Sequence, residues 1–195
     1  TRLGVSRTPV REAFARLIAA GLATERGPRT LVVSEIEPDD VTALFELRSA
    51  LDEQAARLAA RRASTGEGRA RFAELAARFA DVDAARLKAD DPQGHGYYAL
   101  VAEFDAALDA SLSGSPYLAA AIQSTRVHLA RVRRLARDDD DRLALSAAEH
   151  GAIARAIADG DPERAAAATR LHLHEALTSI HAHRPPSGED TKERP

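Results

Sequence analysis

The hydrophobic and polar positions change their periodicity once along the chain. Up to about residue 34, a short helical pattern is followed by two short strand-like runs, whereas from residue 37 onward alanine and leucine recur at a helical period. We therefore predict a mainly α protein in which a small helix-and-hairpin unit precedes an all-α antiparallel helical bundle. The pattern places the bundle helices at about 38–62, 67–88, 94–112, 115–136, 145–159 and 162–182.

The pattern also predicts the domain organisation. We assign residues 1–36 to the first unit and residues 37–183 to the bundle. The last stretch, residues 184–195, has no apolar side chain apart from its prolines, and it is predicted to be disordered.

The first helix is predicted from the sequence GVSRTPVREAF at positions 4–14. Proline lacks an N–H group and has a fixed φ, so Pro9 fits the first turn of a helix, and Ser6 before it is a good N-cap. We expect one face of this helix to be buried, because apolar residues recur along it at helical spacing: Val10, Phe14, Leu17 and Ile18.

Two short strands, at about 22–26 and 30–34, flank Gly27-Pro28-Arg29 and predict a hairpin with a basic tip. Residues 1–34 contain six arginines and two glutamates, a net charge of +4, whereas the whole chain has a formal charge of −3. A helix with arginine in its first turn, followed by a basic hairpin, is typical of a winged helix-turn-helix on DNA. A merely solvated basic surface is the alternative.

The segment LGVSRTPVREAFARLIAAGLATERGPRTLVV, residues 3–33, resembles the recognition helix and wing of GntR-type transcription regulators. The resemblance implies that Arg7, Thr8 and Arg11 contact bases or phosphates and that Gly27 and Arg29 form the wing tip. Arg11 is expected to read a base, since a guanidinium pairs bidentately with guanine. The first unit would then be the C-terminal part of such a module. We expect residues before Thr1, because the chain opens on a turn and lacks an initial methionine.

Three polar residues of the bundle lie where the helical period favours apolar ones. Asp105 shares a stripe with Val101, Leu108 and Leu112, so its carboxylate is predicted to face the interior. His150 and His172 also lie on inward stripes, and each is eleven residues from Asp161 in the turn between two antiparallel helices. The two imidazoles are therefore expected to face each other at one level.

Two imidazoles and a carboxylate are a possible ligand set for a divalent metal, so Asp105, His150 and His172 are candidate ligands. The alternative is that each histidine is an ordinary core residue. Arg48 is a fourth inward candidate, and a buried guanidinium needs an anion. That anion is either a ligand or Asp52, one helical turn further on.

The segments LFELRSALDEQAARLAA (44–60) and AEHGAIARAIADGDPERAAAATRLHLHEAL (148–177) resemble the FCD ligand-binding domain of FadR-like regulators. That resemblance implies a metal, zinc or nickel, held by Asp-x-x-x-His and two further histidines. His150 and His172 match the latter, but Val101 and Asp105 occupy the positions of the first pair. Either Asp105 substitutes as a ligand, or the metal is lost and Arg48 and the histidines bind the effector alone.

These patterns together predict a ligand-responsive DNA-binding transcription regulator rather than an enzyme. We expect a cytoplasmic homodimeric repressor that binds a pseudo-palindromic operator and responds to a small carboxylate. The absence of cysteine fits a reducing compartment, and no apolar run is long enough to predict a membrane helix. A non-haem metalloenzyme with a two-histidine, one-carboxylate site and a bundle that serves only dimerisation are the alternatives.

Overall fold

A computed structural model describes residues 6–27, 30–63, 66–83, 95–132 and 140–182, together with the single residues 85 and 89. The chain divides into two compact units, Thr1–Glu37 and Pro38–Pro195. The sequence analysis placed this boundary after residue 36. The predicted disordered tail, residues 184–195, lies outside the described residues.

The first unit consists of helix α1 (Arg7–Ala19) and the antiparallel strands β1 (Ala23–Gly27) and β2 (Thr30–Val33). Ala23 pairs with Val33 and Gly27 with Thr30, and the register shifts between Glu25 and Gly27. The hairpin therefore lies where the sequence predicts it, within a residue at each end.

Two expectations for α1 are wrong. Ser6 has the extended backbone of an N-cap residue, but its side chain makes no capping hydrogen bond. The face predicted to be buried is largely exposed, with Phe14 at 45%, Leu17 at 39% and Ile18 at 37% exposure. The reason is that β1 is the element of this unit that contacts α1, and a two-stranded hairpin is too small to cover a whole helix face.

The second unit is a bundle of antiparallel helices, and the mainly α fold with a small hairpin is confirmed. The described helices are α2 (Pro38–Arg62), α3 (Gly66–Ala80), α4 (His95–Ser111), α5 (Pro116–Val132), α6 (Asp140–Ala158) and α7 (Pro162–Ala182). The principal helix pairs are α2 with α7, α3 with α6, and α6 with α7. In the described part of the chain, no helix is long and apolar enough to cross a membrane.

The bundle core is built from alanines that permit close helix contacts and from a few large side chains. Phe72, Leu75 and Phe79 of α3 are almost completely buried, as are Ala154 and Ile157 of α6. The contact between α3 and α6 is tight at Gly151, because a Cβ atom placed there would lie 3.3 Å from the Cβ of Phe79. This packing fixes α6, and with it His150, against α3.

Two helix boundaries differ from the predicted ones. Helix α3 ends at Ala80 instead of continuing to residue 88, and α6 begins at Asp140 instead of residue 145. The earlier start of α6 includes Asp140 and Asp141, and acidic side chains are favourable in the first turn of a helix. The predicted end of the 115–136 helix falls beyond Val132, outside the described residues.

Candidate functional site

The residues assigned to DNA contact lie on α1 and at the end of β1. Arg7 begins α1, Thr8 and Arg11 are exposed within its first two turns, and Gly27 ends β1. The backbone N–H groups in the first turn of α1, and the positive end of its helix dipole, are therefore adjacent to exposed polar side chains. The side chain of Arg7 and all of Arg29 lie outside the described residues.

Five helices of the bundle, α2 and α4–α7, line two adjoining and partly open chambers, together called the cavity, that share the side chains of Arg48, Leu129, His150 and His172. The chamber that we call acidic has a volume of about 50 Å³. Aliphatic side chains and Thr125 and Thr169 line it beside the charged groups. The charged and imidazole groups of its lining are Arg48, Asp52, Asp105, Asp109, Arg126, His150 and His172.

The second chamber, which we call aromatic, has a volume of about 80 Å³. Its polar lining consists of guanidinium, hydroxyl and imidazole groups, and no carboxylate lines it among the described residues. Phe45 packs under Arg48, whose guanidinium carbon lies 5.2 Å from the ring centre. The other principal members of the lining are Tyr97, Tyr98, Arg142, Ser146 and Ser179.

His150 and His172 lie side by side between the two chambers, with ring centroids 4.3 Å apart. His150 is 7% exposed, stacks on Phe79 and donates from Nδ1 to the carbonyl oxygen of Ser146 at 2.7 Å. His172 donates from Nδ1 to Glu149 Oε2 at 2.7 Å. The expectation that the two rings face each other at one level is confirmed, and both Nδ1 atoms carry the proton in the neutral rings.

Glu149 supports the candidate site and was not predicted from the sequence. It accepts the His172 bond and two bonds from Arg142, at 2.9 and 2.8 Å, and these three side chains are at most 16% exposed. The sequence contains a signal for the contact with Arg142, because Arg142 and Glu149 are seven residues apart and therefore lie on one helix face, two turns apart. An oriented imidazole with a carboxylate on Nδ1 is the arrangement that fixes ring direction in ligand sites.

Arg48 and Arg126 face the acidic chamber and are held by carboxylates. Arg48 donates to Asp52 at 3.1 Å from Nε and contacts it at 2.9 Å from Nη2, so the open alternative of an i,i+4 pair is present. Arg126 forms a bidentate pair with Asp109 and lies 4.0 Å from Asp105. Burial lowers the pKa of Arg126, but the hydrogen bonds to Asp109 and the surrounding carboxylates raise it above its ordinary value.

The three predicted metal ligands are not equivalent in the structure. His150 and His172 are adjacent, and Asp105 lines the acidic chamber with them, half-buried at 30% side-chain exposure. The described ranges contain no group of three histidine, aspartate or glutamate side chains placed to hold a metal ion. A zinc or nickel ion therefore stays a prediction from the sequence. The other histidines in the described ranges, His95, His128, His174 and His181, do not line the cavity.

Comparisons with known proteins agree with this architecture. The family model for the FCD domain matches residues 43–175. The Nta operon transcriptional regulator of Aminobacter aminovorans is 39% identical over 66 residues, which are 34% of this chain and 31% of that protein's length. The chain is therefore compared with less than a third of that relative.

Two solved structures are similar in fold. Lar, described as controlling the expression of the Listeria monocytogenes agr system and mediating virulence, matches with a TM-score of 0.58 and 17% identity over 94% of this chain and 83% of that one. Streptococcus agalactiae GntR matches with a TM-score of 0.48 and 22% identity, over 91% and 84% of the two chains. The FCD match spans most of the bundle and ends within its last helix, and a helix with a hairpin precedes it, as in the resemblance noted from residues 3–33. The chain belongs to the GntR family, in the branch that carries an FCD domain.

Proposed function

We propose that this chain acts as a ligand-responsive transcription regulator, in which the first unit binds DNA and the bundle binds a small organic acid. The observation that carries the proposal is the partly open cavity, lined by Arg48, His150 and His172, in a bundle that follows an arginine-bearing helix and a hairpin. We further propose a homodimeric repressor on a pseudo-palindromic operator, because a two-fold dimer presents two such helices to two half-sites.

The exposed face of α1 supports DNA binding. Thr8 and Arg11 are exposed in the N-terminal half of the helix, where the helix dipole already favours phosphate. Arg11 supplies the planar donor pair that recognises guanine in the major groove. The hairpin would contact the backbone beside the helix, as wings do.

The cavity supports effector binding. Arg48 and Arg142, which are paired with Asp52 and Glu149, bring guanidinium groups to the wall of a largely apolar space, and guanidinium groups are donors that favour carboxylates. Because helices α2 and α4–α7 all contribute to the wall, a bound acid contacts each of them at once. A ligand that favours one arrangement of these helices shifts the equilibrium between arrangements, and this is the proposed origin of the response.

DNA binding is tested with the full chain and a randomised duplex library, followed by fluorescence polarisation on the enriched sequence. Arg11→Ala is expected to lower affinity by about 10- to 100-fold and to relax base preference at one position. Arg155→Ala removes an exposed arginine of the bundle and is the matched control, which should bind like the wild type. Wild-type affinity in Arg11→Ala would contradict the assignment of α1 as the recognition helix.

Effector binding is tested by thermal-shift titration with propanoate, pentanoate and succinate. A ligand that binds only the folded protein raises the melting temperature. The double variant Arg48→Met/Asp52→Leu removes both charges of a largely buried ion pair. Proteins tolerate the loss of both charges better than the loss of one partner, which leaves the other charge buried and unpaired. We expect it to fold and to lose the shift.

Two outcomes would favour other functions. Absence of any shift with the wild type would favour a bundle that serves only dimerisation. Metal-dependent turnover of an organic acid would favour the metalloenzyme alternative, which leaves the arginines of α1 without a role.

A further inference from the structure

We propose that the effector is a zwitterion, a small molecule with a carboxylate at one end and an ammonium group at the other. This inference rests on the proposed organic-acid function and specifies the class of ligand. The observation that carries it is the difference in charge between the two adjoining chambers, one with a surplus carboxylate and one in which each guanidinium group is balanced.

The acidic chamber has a surplus of negative charge. Its described lining contains three carboxylates, from Asp52, Asp105 and Asp109, and two guanidinium groups, from Arg48 and Arg126. With neutral imidazoles the net charge of the lining is therefore negative. A carboxylate placed here would be repelled, because charges interact strongly in a partly desolvated space, whereas an ammonium group would be favoured.

The aromatic chamber has no such surplus. Arg48 and Arg142 contribute guanidinium groups, whose charges are balanced by their partners Asp52 and Glu149. Hydroxyl groups of Tyr97 and Ser146, 2.6 Å apart, lie at the same wall and supply further donors. A carboxylate is therefore repelled less in this chamber than in the acidic one, and it meets guanidinium and hydroxyl donors here.

The two chambers share a wall formed by Arg48, Leu129, His150 and His172. A single ligand that extends past these shared side chains would have one end in each chamber. The volumes, about 50 and 80 Å³, each correspond to a few water-sized positions, so the ligand is small. Short ω-amino acids have this size and charge distribution.

The test compares three probes that share one five-carbon chain: 5-aminopentanoate, pentanoate and pentylamine. Calorimetric titration of the full chain is repeated with the four- and six-carbon homologues, so that the distance between the charged ends is also varied. In the series with the best length we expect the amino acid to bind at least 10-fold more tightly than either single-charge analogue. This comparison needs only the wild-type protein.

A variant then locates the ammonium subsite. Asp105→Asn keeps the shape of the side chain and removes its charge, so it is expected to abolish the preference for the amino acid while the affinity for the alkanoate changes less than twofold. Glu175→Gln removes an exposed carboxylate of α7 outside the cavity lining and should leave the preference intact.

The outcomes separate the two proposals. Equal affinity for amino acids and alkanoates in the wild type overturns the zwitterion and supports a simple organic acid. An unchanged preference in Asp105→Asn overturns the assignment of the ammonium to the acidic chamber. Failure of amino acids and alkanoates of all three lengths to bind contradicts both the zwitterion and the proposed effector function.

Discussion

The imidazole rings of His150 and His172 lie 4.3 Å apart, and one carboxylate, Glu149, fixes the second ring while also pairing with Arg142. The residue next to His150 on α6 thus orients the histidine of the neighbouring helix. Arg142, Glu149 and His172 form a hydrogen-bonded series that joins α6 to α7 at the cavity wall.

Glu149→Gln is expected to lower the free energy of unfolding by about 2 kcal/mol, because Arg142 is only 12% exposed and would lose its counter-charge. Urea denaturation at neutral pH measures the change. Glu175→Gln, at an exposed position of α7, is the control and should alter stability by less than about 0.5 kcal/mol. Equal effects of the two substitutions would show that the Arg142–Glu149 pair contributes nothing specific.

A second prediction concerns Glu103, which binds Arg78 through two hydrogen bonds and Arg71 through one. Its bonds to Arg78 and then Arg71 lower its pKa from 4.5 to about 2. Since the pKa is lowered in the folded state, the stabilisation is present above pH 4.5 and is lost as the pH falls toward 2. Carbon NMR of the Glu103 carboxyl group should show the low midpoint.

Arg78→Ala is expected to raise that midpoint toward the ordinary value, because it removes the two bonds that lower the pKa most. Arg69→Ala, at an exposed position of the same helix, should leave the midpoint unchanged. A normal midpoint in the wild type would mean that the contact between α3 and α4 is not maintained in solution.

Leu75→Ala tests the core between α3 and its neighbours. Leu75 has no exposed surface, so its truncation leaves a cavity and should lower the free energy of unfolding by about 3 kcal/mol. The same substitution at Leu171, which is 56% exposed on α7, is the control and should cost far less. Chemical denaturation of the two variants compares the same substitution in two environments, and similar losses would contradict the described packing.

Chelation tests the predicted metal. The described residues form no three-ligand group, so EDTA is expected to leave the affinity for 5-aminopentanoate unchanged. A loss of affinity that Zn²⁺ or Ni²⁺ restores, and that is absent in His150→Ala, would instead support an ion on Asp105, His150 and His172. Elemental analysis of the purified protein gives an independent measurement.

The sequence was most informative where local chemistry decides the structure. Helices α2 and α7 have their predicted bounds because proline and acidic residues mark their first turns, and the equal spacing of His150 and His172 from Asp161 placed the two rings together. The sequence was least informative where partners come from other helices. The pairing of Arg126 with Asp109 depends on how α4 and α5 pack, and periodicity within either helix does not specify it.

The prediction that one face of α1 is buried was wrong for a related reason. Helical periodicity identifies the apolar face that contains Phe14 and Leu17, but it does not say whether another element covers that face. The bidentate pair of Arg142 and Glu149 was not predicted, although their spacing of seven residues places them on one face of α6.

The stacking of Phe79 on His150 joins the cavity wall to the core of the bundle. Phe104 makes edge contacts with Phe72, Phe79 and His150, so the ring that lines the cavity belongs to the same aromatic cluster that fills the core. A ligand that contacts His150 is therefore linked, through the ring of Phe104, to the buried aromatic side chains of the core. Substitutions made in this cluster to change ligand preference are therefore expected to change the thermal stability of the bundle as well.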